Sequence, residues 1–151
     1  MSGCTRAPKE THMDTTAEST AITALKAAYD AFNRGDIDGA VQFCDAQIEW
    51  SEPDEFPGGG LYHGRDSVKR YLVQSRAAWA EVISEPERFI TAGDRIVVFV
   101  HARVRPKDSA NWQNVRLADV YTFKDGRAIA MRAFADRSEA VRWVGVKDQE
   151  P

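Results

Sequence analysis

Asp119 is the residue of this chain whose type and position ask most directly for a chemical role. At period two it shares a strand face with Val115, Leu117, Tyr121 and Phe123, so its carboxyl group points toward the buried side of a sheet. Burial raises a carboxyl pKa and favours the neutral acid, which can then donate a hydrogen bond. The alternative is an ion pair with an arginine, which keeps the acid ionised. His101 titrates near neutral pH and can give or take a proton, although a lone histidine on a strand also serves as a hydrogen-bonded structural residue. Glu52 ends a segment whose alternation puts Ile48, Trp50 and Glu52 on a common face before Pro53 stops the strand. A carboxylate there either serves a site or is a solvated rim charge.

Other chemistries find little footing. Cys4 and Cys44 make no metal spacing, no cluster of three His, Cys or carboxylate ligands stands out, and no glycine-rich phosphate loop is present. Neither a metal nor another cofactor is therefore expected. Twenty Lys and Arg against 23 Asp and Glu give a net charge of -3, with the basic residues scattered, which argues against a nucleic-acid partner. No apolar run is long enough to span a membrane. A cytoplasmic protein is expected; the alternative is export or lipid anchoring through Cys4, which requires a signal segment upstream of Met1.

The elements that must position these acids fit one domain, expected over 17–146, between a polar leader at 1–16 and a tail at 147–151. Ile22, Leu25, Tyr29 and Phe32 recur at helical spacing from Glu18 to Asn33, and Gly35 supplies a stop. Asp36 caps a short second helix with Ile37, Val41 and Cys44 inward, and Ile48 to Glu52 reads as a strand. PDEFPGGG at 53–60 is a loop able to act as a flap, and a third helix starting at Gly64 or Asp66 turns Val68, Tyr71, Leu72, Ala78 and Trp79 inward. Strands then run over 81–92, 95–107, 113–124 and 127–135 as an antiparallel meander, followed by a short helix capped at Asp136 or Ser138. Helices first and long strands afterwards give an α+β class with helices packed on one sheet face. A strongly curved sheet would leave a cavity, with Tyr29, Phe32, Trp50, Phe56, Tyr121, Phe123 and Met131 in its wall and Tyr62 and His63 near its rim. Such a wall suits a small, flat, hydrophobic molecule.

The order of the words AAYDAFNRGDIDGAVQFC, IEWSEP, HGRDSVKRYL and DVYTFKDGRAIAMRAF resembles the nuclear-transport-factor-2-like superfamily, in particular the ketosteroid isomerases and SnoaL-type polyketide cyclases, over residues 18–144. The resemblance implies a cone-shaped, curved antiparallel sheet with three N-terminal helices on its concave face and a short C-terminal helix. It also implies a homodimer through the outer sheet face. Glu52 falls at the isomerases' general base, and Asp119 at their protonated aspartic acid, which donates to an enolate oxygen. Their oxyanion tyrosine falls on Ala28, leaving Tyr29 about 100° away around the helix. Aligned without gaps, the resemblance turns Phe99, His101 and Arg103 into the cavity, where Arg103 can pair with Asp119. Ile96, Val98, Val100, Ala102 and Val104 then form the outer, dimer-buried face, although periodicity alone turns them inward. The superfamily's epoxide hydrolases use an arginine and two aspartates where this chain has His101, Arg103 and Ala133, so that chemistry is not implied. The expected activity is cofactor-independent proton transfer on a hydrophobic carbonyl compound, with Glu52, Asp119 and His101 as catalytic candidates and Tyr29, Phe32, Trp50, Phe56, Tyr62, Phe99, Tyr121 and Met131 as substrate contacts. The alternative is a non-catalytic module that binds a small apolar ligand or a partner domain.

Overall fold

Asp14 opens the first helix: its side chain accepts from the Ala17 backbone N–H at 2.7 Å, one of the donors that a helix N-terminus leaves unpaired. The computed structural model describes residues 13–146. Most of the expected leader, with Cys4, and the expected tail therefore lie outside the described residues. Helix α1 (Thr15–Asn33) starts three residues before the periodic pattern does and buries Ala21, Leu25, Ala28 and Tyr29. Helix α2 (Ile37–Ala40) is capped by Asp36 on the Gly39 N–H at 3.0 Å. It is shorter than its sequence pattern, because Cys44 belongs to the following strand and not to the helix stripe.

That strand is β1 (Cys44–Glu52), followed by β2 (Gly60–His63), helix α3 (Arg65–Ala77), strands β3 (Glu81–Ala92), β4 (Arg95–Arg105), β5 (Gln113–Lys124) and β6 (Arg127–Phe134), and helix α4 (Arg137–Val144). Asp125 and Gly126 turn the last hairpin at φ 52° and 81°, a left-handed pair that Asp-Gly accommodates with little strain. The six strands form one curved, unclosed sheet in the order β2-β1-β6-β5-β4-β3. It is mixed and not wholly antiparallel: β1 runs parallel to β6, with Trp50 opposite Met131. This pairing joins segments about eighty residues apart and leaves no hairpin signal. Strand β2, read from sequence as loop and helix entry, pairs with β1 between Glu49↔His63 and Glu52↔Gly60. An edge pairing of this kind needs backbone groups more than side-chain pattern.

The faces of β4 follow its periodicity and overturn the ungapped transfer. Ile96, Val98 and Val100 belong to the main core with Leu25, Tyr29, Val68 and Tyr121. Phe99 lies on the other face with Val97, Val120, Phe134 and Val141, beneath α4. The apolar β4 face therefore packs toward the N-terminal helices, which removes the argument for a homodimer through it. His101 also lies outward, bonded through Nε2 to Asn114 at 2.8 Å and 3.8 Å from Glu87. Arg103 reaches Glu85 at 3.5 Å and not Asp119. The physical reason is cover: α1 and α3 shelter one face, while α4 supplies the apolar cover for the other. Among the described residues, no helix is long and apolar enough to cross a membrane.

Candidate functional site

Between the helices and the concave face lies a cavity of about 490 Å³. Its walls come from Tyr29 and Phe32 on α1, Trp50 and Glu52 on β1, Phe56 to Gly58 in the loop, Tyr62 on β2, Tyr71 and Ser75 on α3, Val100 and Ala102 on β4, and Leu117, Asp119 and Tyr121 on β5. Among the described residues lining it there is no lysine, arginine or histidine. Met131 is core and not wall, at 2% exposure, and Phe99 and His101 lie on the far side of the sheet. His63 binds Glu49 and Gln47 on an exposed patch away from the cavity.

Asp119 enters the cavity from β5 as the period-two reading requires, but its partner was not foreseen. The Tyr29 hydroxyl donates to Asp119 Oδ2 at 2.6 Å and lies 2.9 Å from the Tyr121 hydroxyl. Because the Tyr29 proton is spent on Asp119, Tyr121 is the donor in the second bond, and the chain of donation runs Tyr121 to Tyr29 to Asp119. The phenol that the resemblance lacked is thus present one residue on. The inner face of α1 is wide enough for Leu25, Ala28, Tyr29 and Phe32 together, and the long tyrosine side chain spans the rest. Glu52 enters from the end of β1, where the Trp50 indole N–H donates to its Oε2 at 2.8 Å.

Both acids are half-buried: they keep some surface on the cavity and are otherwise surrounded by apolar and aromatic groups. Burial pushes Asp119 up to about 6, against the Tyr29 hydrogen bond, which favours the ionised form. Burial, and then the Asp119 charge, push Glu52 up to about 8, against hydrogen bonds from Trp50 and Tyr71. At neutral pH the ionised member of the pair is therefore Asp119 and the protonated one Glu52, the reverse of the roles implied by the isomerase resemblance. Burial and the Asp119 charge also raise the Tyr29 and Tyr121 hydroxyls well above an ordinary phenol. Tyr71, read from sequence only as helix core, is raised by burial and then by the Glu52 charge. The available signal was the i, i+4 pair Tyr71 and Ser75, two hydroxyls on one face of an otherwise apolar stripe. Cys44, free and fully buried, is pushed up to about 12 by burial and has no reactive character.

The chain matches the SnoaL-like domain over residues 25–131, well over half its length. It belongs to the SnoaL-like family. Among solved structures, this SnoaL-like chain is similar to an NTF2-like protein of unknown function from Burkholderia pseudomallei, with 27% identity over 84% of this chain and 98% of that one and a TM-score of 0.70. It is also similar to TerC co-crystallised with polyporic acid, with 25% identity over 83% of this chain and 98% of that one and a TM-score of 0.70. The epoxide hydrolase/cyclase-like enzyme SalBIII, 22% identical over 78% of this chain and 91% of its own at a TM-score of 0.63, shares the fold. Comparison with proteins of curated function found no match. Among the described residues, no three His, Cys, Asp or Glu are grouped so as to hold a metal ion.

Proposed function

We propose that this SnoaL-like domain is a cofactor-independent proton-transfer enzyme of the isomerase or cyclase type, acting on a small hydrophobic carbonyl compound held in the cavity. The observation that carries the reading is the pair of carboxyl groups in one aromatic-lined cavity, with environments that set their protonation apart. Asp119, ionised and oriented by Tyr29, takes a proton from the carbon beside the carbonyl. Glu52, protonated and held by Trp50, donates to the carbonyl oxygen as the enol forms. Return of the proton to another carbon gives an isomer, and attack of the enol on a second carbonyl within the same molecule closes a ring. The polyporic acid in the TerC crystal supports a small organic molecule as the kind of ligand.

The test follows loss of α-hydrogen from a panel of hydrophobic ketones in deuterated water by NMR, using the wild type, Glu52→Gln and Asp119→Asn. Each variant is expected to lose on the order of 100-fold or more in exchange rate while still binding ketone. Exchange at the wild-type rate in both variants sinks the assignment. A second reading, a binding module without catalysis, is favoured by the fact that Tyr29 already satisfies Asp119; it predicts ketone binding with no exchange above buffer.

A further inference from the structure

We propose that the cavity takes an organic cation: a hydrophobic ligand with a protonated amine or quaternary ammonium group, seated on the aromatic wall with its charge toward Glu52 and Asp119. The inference rests on the cavity being the ligand site and concerns a ligand that competes with the carbonyl substrate, since a cation beside the two acids displaces the Glu52 proton that the transfer uses.

The first support is what faces the two acids. Among the described residues, the other titratable side chains lining the cavity are Tyr29 from α1, Tyr62 from β2, Tyr71 from α3 and Tyr121 from β5, none of them a cation; Arg65 and Arg127, which act on Cys44 behind Tyr121, lie outside the lining. Strands β3 and β4 contribute only Val82, Ser84, Val100, Ala102 and Val104 to the lining. The guanidinium expected to balance Asp119, that of Arg103, is held by Glu85 on the other side of the sheet. Arg76 stacks on the Phe32 ring at 5.7 Å and donates to the Asn33 carbonyl, outside the lining. Charges enclosed by protein are ordinarily paired, and among the described residues the wall offers the Asp119 charge a hydrogen bond from Tyr29 but no opposite charge.

The second support is the wall itself. Phe32, Trp50, Phe56, Tyr62, Tyr71 and Trp79 line it, and the face of an aromatic ring carries negative potential that attracts an ammonium group and repels an anion. A volume of about 490 Å³ lies within the roughly 300–1,000 Å³ usual for small-molecule sites. The Asp119 charge also contributes to the raised Glu52 pKa, as expected where no counter-ion stands between the two acids. Binding a cation should therefore expel the Glu52 proton. Affinity should rise as pH passes upward through about 8, because the ionised acid attracts the cation and the neutral acid does not.

Isothermal titration calorimetry with three probes on one naphthylmethyl scaffold tests this: (2-naphthylmethyl)trimethylammonium, its neutral carbon isostere 2-neopentylnaphthalene, and the anion of 2-naphthaleneacetic acid. The quaternary probe cannot titrate, so any pH dependence belongs to the protein. The expected result is cation affinity about tenfold or more above the isostere at pH 8.5, no measurable binding of the acetate, and proton release at pH 7 seen by comparing two buffers of different ionisation enthalpy. In Glu52→Gln most of the proton release at pH 7 and the pH dependence between pH 7 and 9 should disappear while the cation still binds, leaving only the weaker dependence of Asp119 around pH 6. Equal or tighter binding of the neutral isostere overturns the cation inference and leaves the cavity as a ligand site. Failure of all three probes to bind overturns the inference together with the site. Ketone exchange, measured separately, reads the catalytic proposal whichever way the charge preference falls.

Discussion

Tyr29 decides what Asp119 can do. Its hydroxyl bond favours the carboxylate and opposes the burial that pushes Asp119 up to about 6, while Glu52, further raised by that same carboxylate, reaches about 8. A reaction that needs Asp119 ionised and Glu52 protonated has a rate that climbs through about 6 and declines through about 8, a bell measurable as kcat/KM for ketone exchange. Tyr29→Phe removes the bond that holds Asp119 down, so the acid limb of that bell should move upward by about one unit and its plateau should drop. An acid limb that stays in place in Tyr29→Phe would show that Asp119 is not the group read by the rate. The position of Asp119 was legible because a lone acid on an apolar face breaks period two in an obvious way. Tyr29 was legible as cavity wall but not as the partner of Asp119, since one residue of helix is about 100° of rotation and only the breadth of the α1 inner face shows that a phenol can still reach. His101 and Phe99 show the converse: the hydrophobic alternation of β4 assigned the faces correctly, and transfer from a relative without gaps reversed them.

Helix α4 packs on the sheet through Ala140, Val141 and Trp143, and one polar side chain, Arg137, ties it down by several bonds at once. The Arg137 side chain, 10% exposed, donates to the Leu117 carbonyl at 3.1 Å, the Val100 carbonyl at 2.9 Å and Glu87 at 2.8 Å, with its guanidinium over the Phe99 ring at 4.9 Å. Arg137→Ala strips two carbonyls of a donor and opens the Phe99 face, so it should cost about 2–4 kcal/mol in urea unfolding. Arg137→Lys should recover only part of this, because one ammonium cannot reproduce the planar fork. Full recovery by lysine would mean that charge alone, and not the three-way bonding, holds α4. The loop between β1 and β2 makes a different prediction. A Cβ on Gly59 would sit 2.4 Å from the Pro53 carbonyl oxygen and 2.8 Å from Asp54 Cα, both backbone, so the turn cannot make room without moving Phe56 and Pro57 in the cavity wall. Gly59→Ala should weaken ligand binding about tenfold, read by calorimetry, with little loss of global stability. Helices and hairpins at this scale were readable from period and turn residues. The β1–β6 pairing and strand β2 were not, since one joins distant segments in parallel and the other is a four-residue edge strand entered from a run of three glycines.

Across the whole molecule, the cavity and the stability of the fold compete for the same two acids. The sheet bends around the N-terminal helices and leaves open space where aromatic rings, Glu52 and Asp119 meet. Closing an apolar wall around carboxyl groups raises both pKa values above those of the unfolded chain, so the native state binds more protons than the unfolded state between about pH 4 and 8. With more protons on the native side, stability must fall as pH rises across that window: it is fully present below the unfolded pKa values and lost as each group passes its folded one. At about 1.4 kcal/mol per unit, and with both groups partly on the open cavity, the loss should be on the order of a few kcal/mol between pH 4.5 and 9. Glu87, lowered chiefly by its hydrogen bond to Arg137, acts in the opposite sense but only at the acid end, where it becomes protonated. Urea unfolding of the wild type at intervals across this range should therefore show a midpoint that declines toward alkaline pH. Glu52→Gln/Asp119→Asn should hold a nearly level midpoint and be more stable than the wild type at pH 9. A wild-type midpoint that rises with pH would mean that both acids are held below their ordinary values in the fold, and that the cavity contains a positive charge which neither carboxyl shows as a partner.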